Sequence, residues 1–541
     1  MKKKHKLIAG AVAIVVFIGF LVVHFAGNMA AGYVDKLADE QTVLKGKLQI
    51  GHFSADVSGN VVFKDITWLD TQGKLVAKMP TMNVSANLFD VISGNFGVKS
   101  INTISMEKPE FNVQYTDKEG LNIVNLINFP KDDGKPTAFR GIVEIENGKL
   151  GLLMNGKELH FDGVQMQANI KEYPKMVFML QGKNGEGNLI GTITKTYNNS
   201  VITGEAKKYA LTELMKVLPS FGDVEVLGGS IADAKLKAEN KDERWTVNIN
   251  GSVDNVAAKV LGYGISDGRG EFAIDNKEAV FKKTEALVEG QKVTGEGKIV
   301  FHEQAVMPTY DLTFNASAFE IDAVSPGLGV DDPLNISGKV TGPIDKPLVA
   351  GDFSMAQLKL DPLLMTNVNG QYNFAGGIIT LLSSSADAYN GKLAVTGTVE
   401  AATKNFLLHY VGRGLDSAAV TETSIDGPLD FEGDASGTGS AESAIAAGAF
   451  AINKGNYHGL PFDVLTGDFS RAKGVMSFSN IVVVTPLGRF ASSAVMSDNG
   501  KVSFGEMGKA LQGASVQDVT ENVKVKVKDS VQKGLGKLFK R

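Results

Sequence analysis

The sequence contains no cysteine, and this absence removes several kinds of site. Structural disulfides, thiolate zinc sites, iron–sulfur clusters and a cysteine nucleophile are all excluded. Proline is also scarce, with 15 residues, whereas glycine is abundant, with 61. Many glycines with few prolines favour a chain of many short strands joined by tight turns.

An excess of basic residues is also missing, because 55 Lys and Arg stand against 60 Asp and Glu. Nucleic-acid-binding domains present a strong positive field, so nucleic acid is not an expected partner. The 7 histidines are scattered, and no two of them have the four-residue spacing of a metal-binding helix. The sequence therefore predicts no metal and no cofactor.

Two short motifs match those of serine acyl enzymes. Ser470 and Lys473 have the S-x-x-K spacing, and Ser497-Asp498-Asn499 matches S-D-N. The serine of S-x-x-K must lie at the start of a helix, whereas this one falls at a predicted turn between strands, and no K-T-G follows. We therefore predict that the protein is not an enzyme and has no catalytic residues.

One long hydrophobic run lies near the first residue. Residues 7–23 carry no polar side chain, and with residues 24–26 the run reaches about twenty residues, enough to cross ~30 Å of hydrocarbon. A cleavable signal peptide usually has a shorter apolar core, and Met-Ala-Ala at residues 29–31 is a poor cleavage site. We predict an uncleaved transmembrane anchor over residues 7–26, with residues 1–6 as a basic cytoplasmic tail. Representative anchor residues are Leu7, Val16, Phe20 and Val23.

The main part of the chain repeats a Gly-x-aromatic signature. The signature begins at Gly270, Gly370 and Gly467, which are 100 and 97 residues apart. Each copy runs to a turn and returns as an apolar strand. We predict three β modules, over residues 209–301, 314–411 and 414–497, in an elongated repeat array. Two further β regions precede them, over residues 27–136 and 137–208, with Asn-Gly and Asp-Gly turns.

The predicted strands alternate between apolar and polar residues. This period of two predicts a sheet with one apolar and one polar face. The apolar face must meet a second sheet, the same sheet curled over, or a foreign apolar molecule. We therefore predict a curled antiparallel groove of all-β fold, with short helices. Its candidate lining residues are Val293, Ile299, Phe301, Ile379, Leu381, Leu393, Val395 and Val399.

Residues 505–541 change character and form a basic tail. Apolar residues recur there at steps of three and four, which is typical of one face of an amphipathic helix. Such a helix can lie on an anionic bilayer or bind a partner, or it can cap the end of the sheet. The alternation in VKVKVK is also compatible with a strand. The apolar face consists of Val523, Val527, Val531, Leu535, Leu538 and Phe539.

Several motifs, in this order, resemble a known family. They are G-N-V-V-F-K-D-I at residues 59–66, S-I-x-x-I-x-x-x-K-P-x-F at residues 100–111, V-E-I-x-N-G-K-L at residues 143–150 and G-P-I-D-K-P-L-V-A-G at residues 342–351. The chain resembles AsmA-like and TamB-like proteins. The resemblance implies a periplasmic β-groove (β-taco-like) anchored in the inner membrane, implicated in phospholipid movement between membranes or in outer-membrane assembly, without a catalytic site.

The sequence thus predicts a single-pass inner-membrane protein with a cytoplasmic N-terminus and a periplasmic bulk. The expected function is passive carriage or shielding of phospholipid acyl chains for outer-membrane biogenesis or lipid homeostasis. The tail would contact the outer membrane or one of its proteins. An alternative is a non-enzymatic assembly factor that binds envelope proteins through its sheet edges. A surface or adhesive β-repeat protein is a third possibility.

Overall fold

A computed structural model describes residues 44–504 with internal gaps. The predicted anchor over residues 7–26, the tail over residues 505–541 and the S-D-N motif lie outside the described residues. The gaps within the described range are residues 57, 94–99, 117–119, 127–138, 155, 198, 217–223, 243, 261, 303–306, 321–331, 361–362, 422–424, 440–442, 458–459, 474, 487 and 497–501.

The described chain is almost entirely β-strand, as the alternating pattern predicted. Where the structure is described, the helices have only four or five residues, which confirms the prediction of short helices. The helices are α1 (Leu88–Ile92), α2 (Asn122–Asn125), α3 (Leu211–Leu214) and α4 (Ser417–Thr421). The chain divides into two units, residues 1–284 and residues 285–541, which we call unit 1 and unit 2.

Unit 1 contains the first fifteen strands, and β16 (Glu278–Val288) contains the division between the units. The strands of unit 1 are β1 (Lys47–Gln49), β2 (His52–Ala55), β3 (Asn60–Leu69), β4 (Leu75–Ala86), β5 (Ile101–Glu107), β6 (Glu110–Thr116), β7 (Gly120–Leu121), β8 (Ile142–Met154), β9 (Lys157–Asn169), β10 (Lys175–Asn184), β11 (Gly187–Thr196), β12 (Asn199–Ala210), β13 (Val224–Lys241), β14 (Arg244–Val260) and β15 (Tyr263–Ile274).

The strands of unit 2 follow the same antiparallel plan. They are β17 (Gln291–Val300), β18 (Thr309–Phe319), β19 (Leu334–Pro343), β20 (Leu348–Leu360), β21 (Leu363–Ala375), β22 (Ile378–Ala388), β23 (Gly391–Glu400), β24 (Asn405–Asp416), β25 (Ile425–Asp426), β26 (Pro428–Thr438), β27 (Ile445–Tyr457), β28 (Leu460–Ala472), β29 (Val475–Thr485), β30 (Gly488–Met496) and β31 (Val502–Phe504).

Strand pairing is mostly between neighbours along the chain. From β8 to β15 and from β17 to β24, each strand pairs antiparallel with the next. β24 then pairs with β26, and the order continues to β31. The exceptions include β5 and β6, which both pair in parallel with β8. The three sequence modules contain β13–β17, β19–β23 and β26–β30, and the division at residue 284 falls inside the first module.

Tight turns join these strands. Between β3 and β4, the carboxylate of Asp70 accepts hydrogen bonds from the backbone N–H groups of Gln72 and Lys74, both at 2.8 Å. Gly73 has a φ of 80°, a left-handed conformation that glycine adopts without steric cost. The Asp side chain and the glycine therefore fix this hairpin locally.

Each unit has a buried apolar cluster. In unit 1 the cluster gathers side chains from the first strands, and Trp68 is 0% exposed while its indole N–H donates to the carbonyl of Lys45 at 3.0 Å. In unit 2 the cluster contains side chains from β19 to β29, among them Leu393, Leu415 and Ile452. In these two clusters the apolar side chains are shielded from solvent, and we call such positions sealed.

Candidate apolar binding face

The register of unit 1 aligns apolar side chains into rows that cross several strands. Ile202 lies opposite Ile193 and Ala238, and Leu236 lies opposite Gly204 and Ile249. Successive side chains of a strand point to opposite faces, so these residues share one face. The row through Leu236 continues through Ile249 to Ile274 on β15.

The other face of the same strands is polar. Thr203 lies opposite Thr192 and Lys237, and Lys237 lies opposite Asn248. The ammonium of Lys237 contacts the carboxylate of Glu239 on this face at 2.7 Å. Strands β11–β14 therefore form one layer with an apolar and a hydrated side, as the alternation predicted.

The described residues do not seal this apolar face. Ile202, Leu236, Ile249 and Ile274 are all half-buried, while Ile193 at the end of its row packs against the buried cluster of unit 1. In the buried cluster of unit 1, by contrast, side chains such as Trp68 are withdrawn from solvent. Half-buried aliphatic side chains in register across neighbouring strands are a surface on which a further apolar layer would be favourable.

Unit 2 carries a longer row of the same kind, which we call the open row. Its members are directly opposite one another from β18 to β24, and all are half-buried. Six inter-strand steps of about 4.8 Å make the row about 29 Å long. The open row consists of Leu312, Val340, Val349, Phe374, Ile379, Val399 and Phe406.

The open row lies toward one end of its strands, and the buried cluster lies toward the other. We call open end the end at which hairpins join β19 to β20, β21 to β22 and β23 to β24. At the opposite, closed end lie Met355, Val368 and Ala386, all members of the buried cluster. One set of strands thus seals apolar side chains at its closed end and leaves them half-exposed at its open end.

The sequence-predicted lining residues lie mostly in or near the open row. Ile379 and Val399 belong to it and are direct cross-strand partners. Leu381 lies opposite Gly397, and Val395 lies opposite Tyr410. Val293 and Ile299, on β17, are half-buried and lie opposite Ala316 and Tyr310.

Two of the predicted lining residues lie elsewhere. Leu393 is 6% exposed and belongs to the buried cluster at the closed end, so in this structure it packs against protein. Phe301 lies one residue beyond the end of β17 and is exposed. The alternation identifies the face on which a residue lies but does not tell a sealed position from an open one.

The repeated Gly-x-aromatic signature has a structural explanation that sequence reasoning missed. The aromatic residue of each copy lies directly opposite a glycine on the preceding strand. Phe272 faces Gly251, Tyr372 faces Gly351 and Phe469 faces Gly448. The three facing glycines are also 100 and 97 residues apart, so the signal was present in the sequence. Such pairs cover the glycine backbone with a ring.

The three facing glycines lie close to the neighbouring strand. A Cβ would lie 2.3 Å from the carbonyl oxygen of Asp233 at Gly251 and 1.9 Å from that of Ser337 at Gly351. At Gly448 it would lie 2.2 Å from the carbonyl oxygen of Glu432 and 2.6 Å from Cζ of Phe469. Larger residues therefore cannot replace these glycines without displacing the neighbouring backbone and, at Gly448, also the ring. The repeated pairs place three rings on the apolar face, and we call them the aromatic floor. They are Phe272, Tyr372 and Phe469.

Two tyrosines on the apolar face, Tyr372 and Tyr410, have shifted ionisation. Burial, with a smaller contribution from Asp352, raises the pKa of Tyr372 to about 12. Burial, with a smaller contribution from Asp434, raises the pKa of Tyr410 to about 12. The hydroxyl of Tyr372 donates to the carbonyl of Ser337 at 3.3 Å. Both side chains therefore remain neutral under physiological conditions.

The serine of the S-x-x-K pattern does not lie at the start of a helix. Ser470 lies within β28, and Lys473 follows in a turn with a φ of 50°. His409 contacts Asp434 at 2.8 Å on the polar face. Among the residues described, no group of three or more His, Asp or Glu side chains is placed to hold a metal ion.

The membrane-related predictions fall on other parts of the chain. Among the described residues, no helix has the length and apolar character needed to cross a bilayer. The anchor residues and the apolar face of the tail lie outside the described residues. Comparisons with protein-family models, with curated proteins and with solved structures gave no match to this chain.

Proposed function

We propose that the apolar face of the sheet holds the acyl chains of phospholipids, so that the protein carries or shields lipid between membranes without catalysing a reaction. The open row carries this proposal. Its seven side chains are aliphatic or aromatic, lie in register and are half-buried, while the same strands bury their apolar side chains at the closed end.

The dimensions of the open row suit an acyl chain. One leaflet contributes about half of the ~30 Å hydrocarbon core of a bilayer, so one acyl chain spans about 15 Å. A row about 29 Å long can therefore hold about two chains end to end. Each methylene that leaves water contributes about 0.8 kcal/mol, without any directional contact.

The chemistry of the row favours sliding over fixed binding. Its side chains offer no donor or acceptor that would hold a lipid at one position. A head group would remain in water, because desolvating a charged phosphate without a partner costs several kcal/mol. Passive carriage follows from such a surface, and the proposed inner-membrane anchor over residues 7–26 would keep it beside a source of lipid in the periplasm. This setting agrees with the resemblance to AsmA-like and TamB-like proteins.

Paired photocrosslinking tests the proposal on the full chain in cells. A photoreactive amino acid is placed at Val399 or Ile249 on the apolar face and, as matched controls, at Thr398 or Asn248, the neighbouring residues on the polar face. Phospholipid labelled with radioactive phosphate should crosslink at Val399 and Ile249 and not at the two controls. Equal labelling at both faces, or protein adducts without lipid, would refute lipid binding and favour the assembly-factor alternative.

A further inference from the structure

The polar face of unit 2 contains a cavity that the proposed lipid face does not explain. The cavity has a volume of about 620 Å³ and extends across five neighbouring strands, from β18 to β22, and we call it the polar trough. Two rows of polar side chains line it, and within each row neighbouring members lie directly opposite one another. The rows are Asn315, Ser337, Asp352, Gln371 and Ser383, and Asn335, Ser354, Asn369 and Ser385.

The polar trough lies on the opposite side of the sheet from the buried cluster of unit 2. The backbone between the two rows forms its floor, and the side chains of those intervening residues point to the apolar face. Two of them, Ile336 and Phe353, pack against the buried cluster. The floor is therefore supported by packed core, and such a support holds the lining side chains in place before a ligand arrives.

Irregular strand pairing borders the polar trough. The register shifts after Ala316 on β18 and before Asn369 on β21. Ala318 and Asn367, within these bulges, have left-handed φ values of 55° and 51°. Bulges bend a strand locally and are frequent beside binding sites, so their position here favours a concave region on the exposed face.

Hydrogen bonds within the polar trough orient its amide side chains. The side-chain carbonyl of Asn369 accepts a hydrogen bond from the hydroxyl of Ser385 at 3.1 Å, and its amide donates to the carbonyl of Asn367 at 2.9 Å. The amide of Gln371 donates to the carboxylate of Asp352 at 3.2 Å. An amide side chain has two N–H donors and a carbonyl with two lone pairs, so both amides retain capacity to bind a ligand.

The chemistry of the lining restricts the class of ligand. Among the described residues that line the polar trough, Asp352 is the only charged one and none is basic, so a phosphate or another anion has no counter-charge there. Ion pairs return on the same face toward the open end, where Lys339 contacts Asp311 at 2.9 Å. Protein partners bind mainly through aromatic and arginine anchors in apolar pockets, whereas the two rows contain only Asn, Gln, Ser and Asp. These side chains offer donors and acceptors side by side, which suits the hydroxyl groups of a sugar.

From these observations we propose that the polar trough binds an uncharged, extended glycan that lies across the strands. Four inter-strand steps of about 4.8 Å make the trough about 19 Å long, and since an extended β-linked glycan advances by a similar distance per sugar, about four sugars fit. The inference stands independently of lipid binding, because the polar trough and the open row lie on opposite faces of the sheet.

Calorimetric titration of the purified full chain, in a detergent without a sugar head group, tests the proposal. The uncharged probes are chitotetraose and cellotetraose, and the anionic probe is tetragalacturonic acid. We expect at least one uncharged tetramer to bind, and the anionic tetramer to bind more weakly because Asp352 repels it. The proposal is wrong if neither uncharged tetramer binds up to about 5 mM, or if the anionic tetramer binds as tightly as they do.

Substitutions then locate the bound glycan. Ser354→Phe fills the polar trough from an exposed position and should abolish binding. Asn369→Ala should weaken binding about fivefold through lost hydrogen bonds, whereas Asn373→Ala, on the same strand and face but outside the trough, should leave it unchanged. An unchanged urea transition of unit 2 shows that each variant is folded. Full binding by folded Ser354→Phe, or equal weakening by the two asparagine substitutions, would overturn the proposal.

Discussion

The two ends of the strands in unit 2 differ in how deeply they bury apolar side chains. At the closed end these side chains are buried, and at the open end they are half-buried. On β24, Leu415 at the closed end is 1% exposed, whereas Leu408 toward the open end is half-buried. Both residues are leucines on the same strand. Alternation of apolar residues therefore predicts the strands of the sheet. Whether an apolar side chain is buried depends on the side chains that pack over it from neighbouring strands.

The largest expected change in the free energy of unfolding distinguishes Leu415 from Leu408. Leu415→Ala removes a fully buried side chain and should lower the free energy of unfolding by about 3 kcal/mol, since the loss includes both transfer and a cavity. Leu408→Ala should cost about 1 kcal/mol, because water already reaches that side chain. Urea unfolding of the full chain, followed through the transition of unit 2, measures both. Equal costs would remove the distinction between a closed and an open end.

The sequence predicted much of this fold because the governing signal is local. Alternation in VTGEGKIVF at residues 293–301 and in LAVTGTV at residues 393–399 indicates the strands and their faces. The candidate lining residues Ile379 and Val399 share the open row for the same reason. What the sequence could not reveal is long-range. Leu393 obeys the same alternation as Val399, yet it is sealed because Ala386 and neighbouring strands surround it.

The next largest change in stability is expected at the aromatic floor, where Gly448 lies opposite Phe469. Gly448→Val should destabilise unit 2 by about 2 kcal/mol, because the new side chain would collide with the carbonyl oxygen of Glu432 on the neighbouring strand and with the ring of Phe469. The matched control is Ala449→Val, the adjacent residue on the exposed face, which should change stability by less than about 0.5 kcal/mol. Thermal or urea unfolding measures both. A neutral Gly448→Val would mean that the neighbouring strand and the ring both move aside freely and that the repeated signature has no packing role.

A substitution with a smaller effect on stability tests whether water reaches the side chains of the open row. Val399→Asp should cost about 1 kcal/mol, since its carboxylate stays hydrated, whereas a charge in a sealed core costs several kcal/mol. Thr398→Asp, on the polar face, should be nearly neutral. The same pair sharpens the functional proposal, because phospholipid crosslinking at Ile379 should fall with Val399→Asp alone. A cost of several kcal/mol at Val399 would show that the row is covered by protein.

The smallest effect is pH-dependent and reports on the middle of the apolar face. Tyr372 and Tyr410 have folded-state pKa values of about 12, against an ordinary value of 10.0. The unfolded chain therefore loses these protons first, and stability that is fully present below pH 10.0 should decline up to about pH 12. The decline should weaken in Tyr372→Phe and in Tyr410→Phe. Spectrophotometric titration of phenolate absorbance, as wild type minus each variant, measures the two pKa values directly. Titration of either tyrosine at its ordinary value would mean that water reaches the ring, which would extend the open surface further across the apolar face.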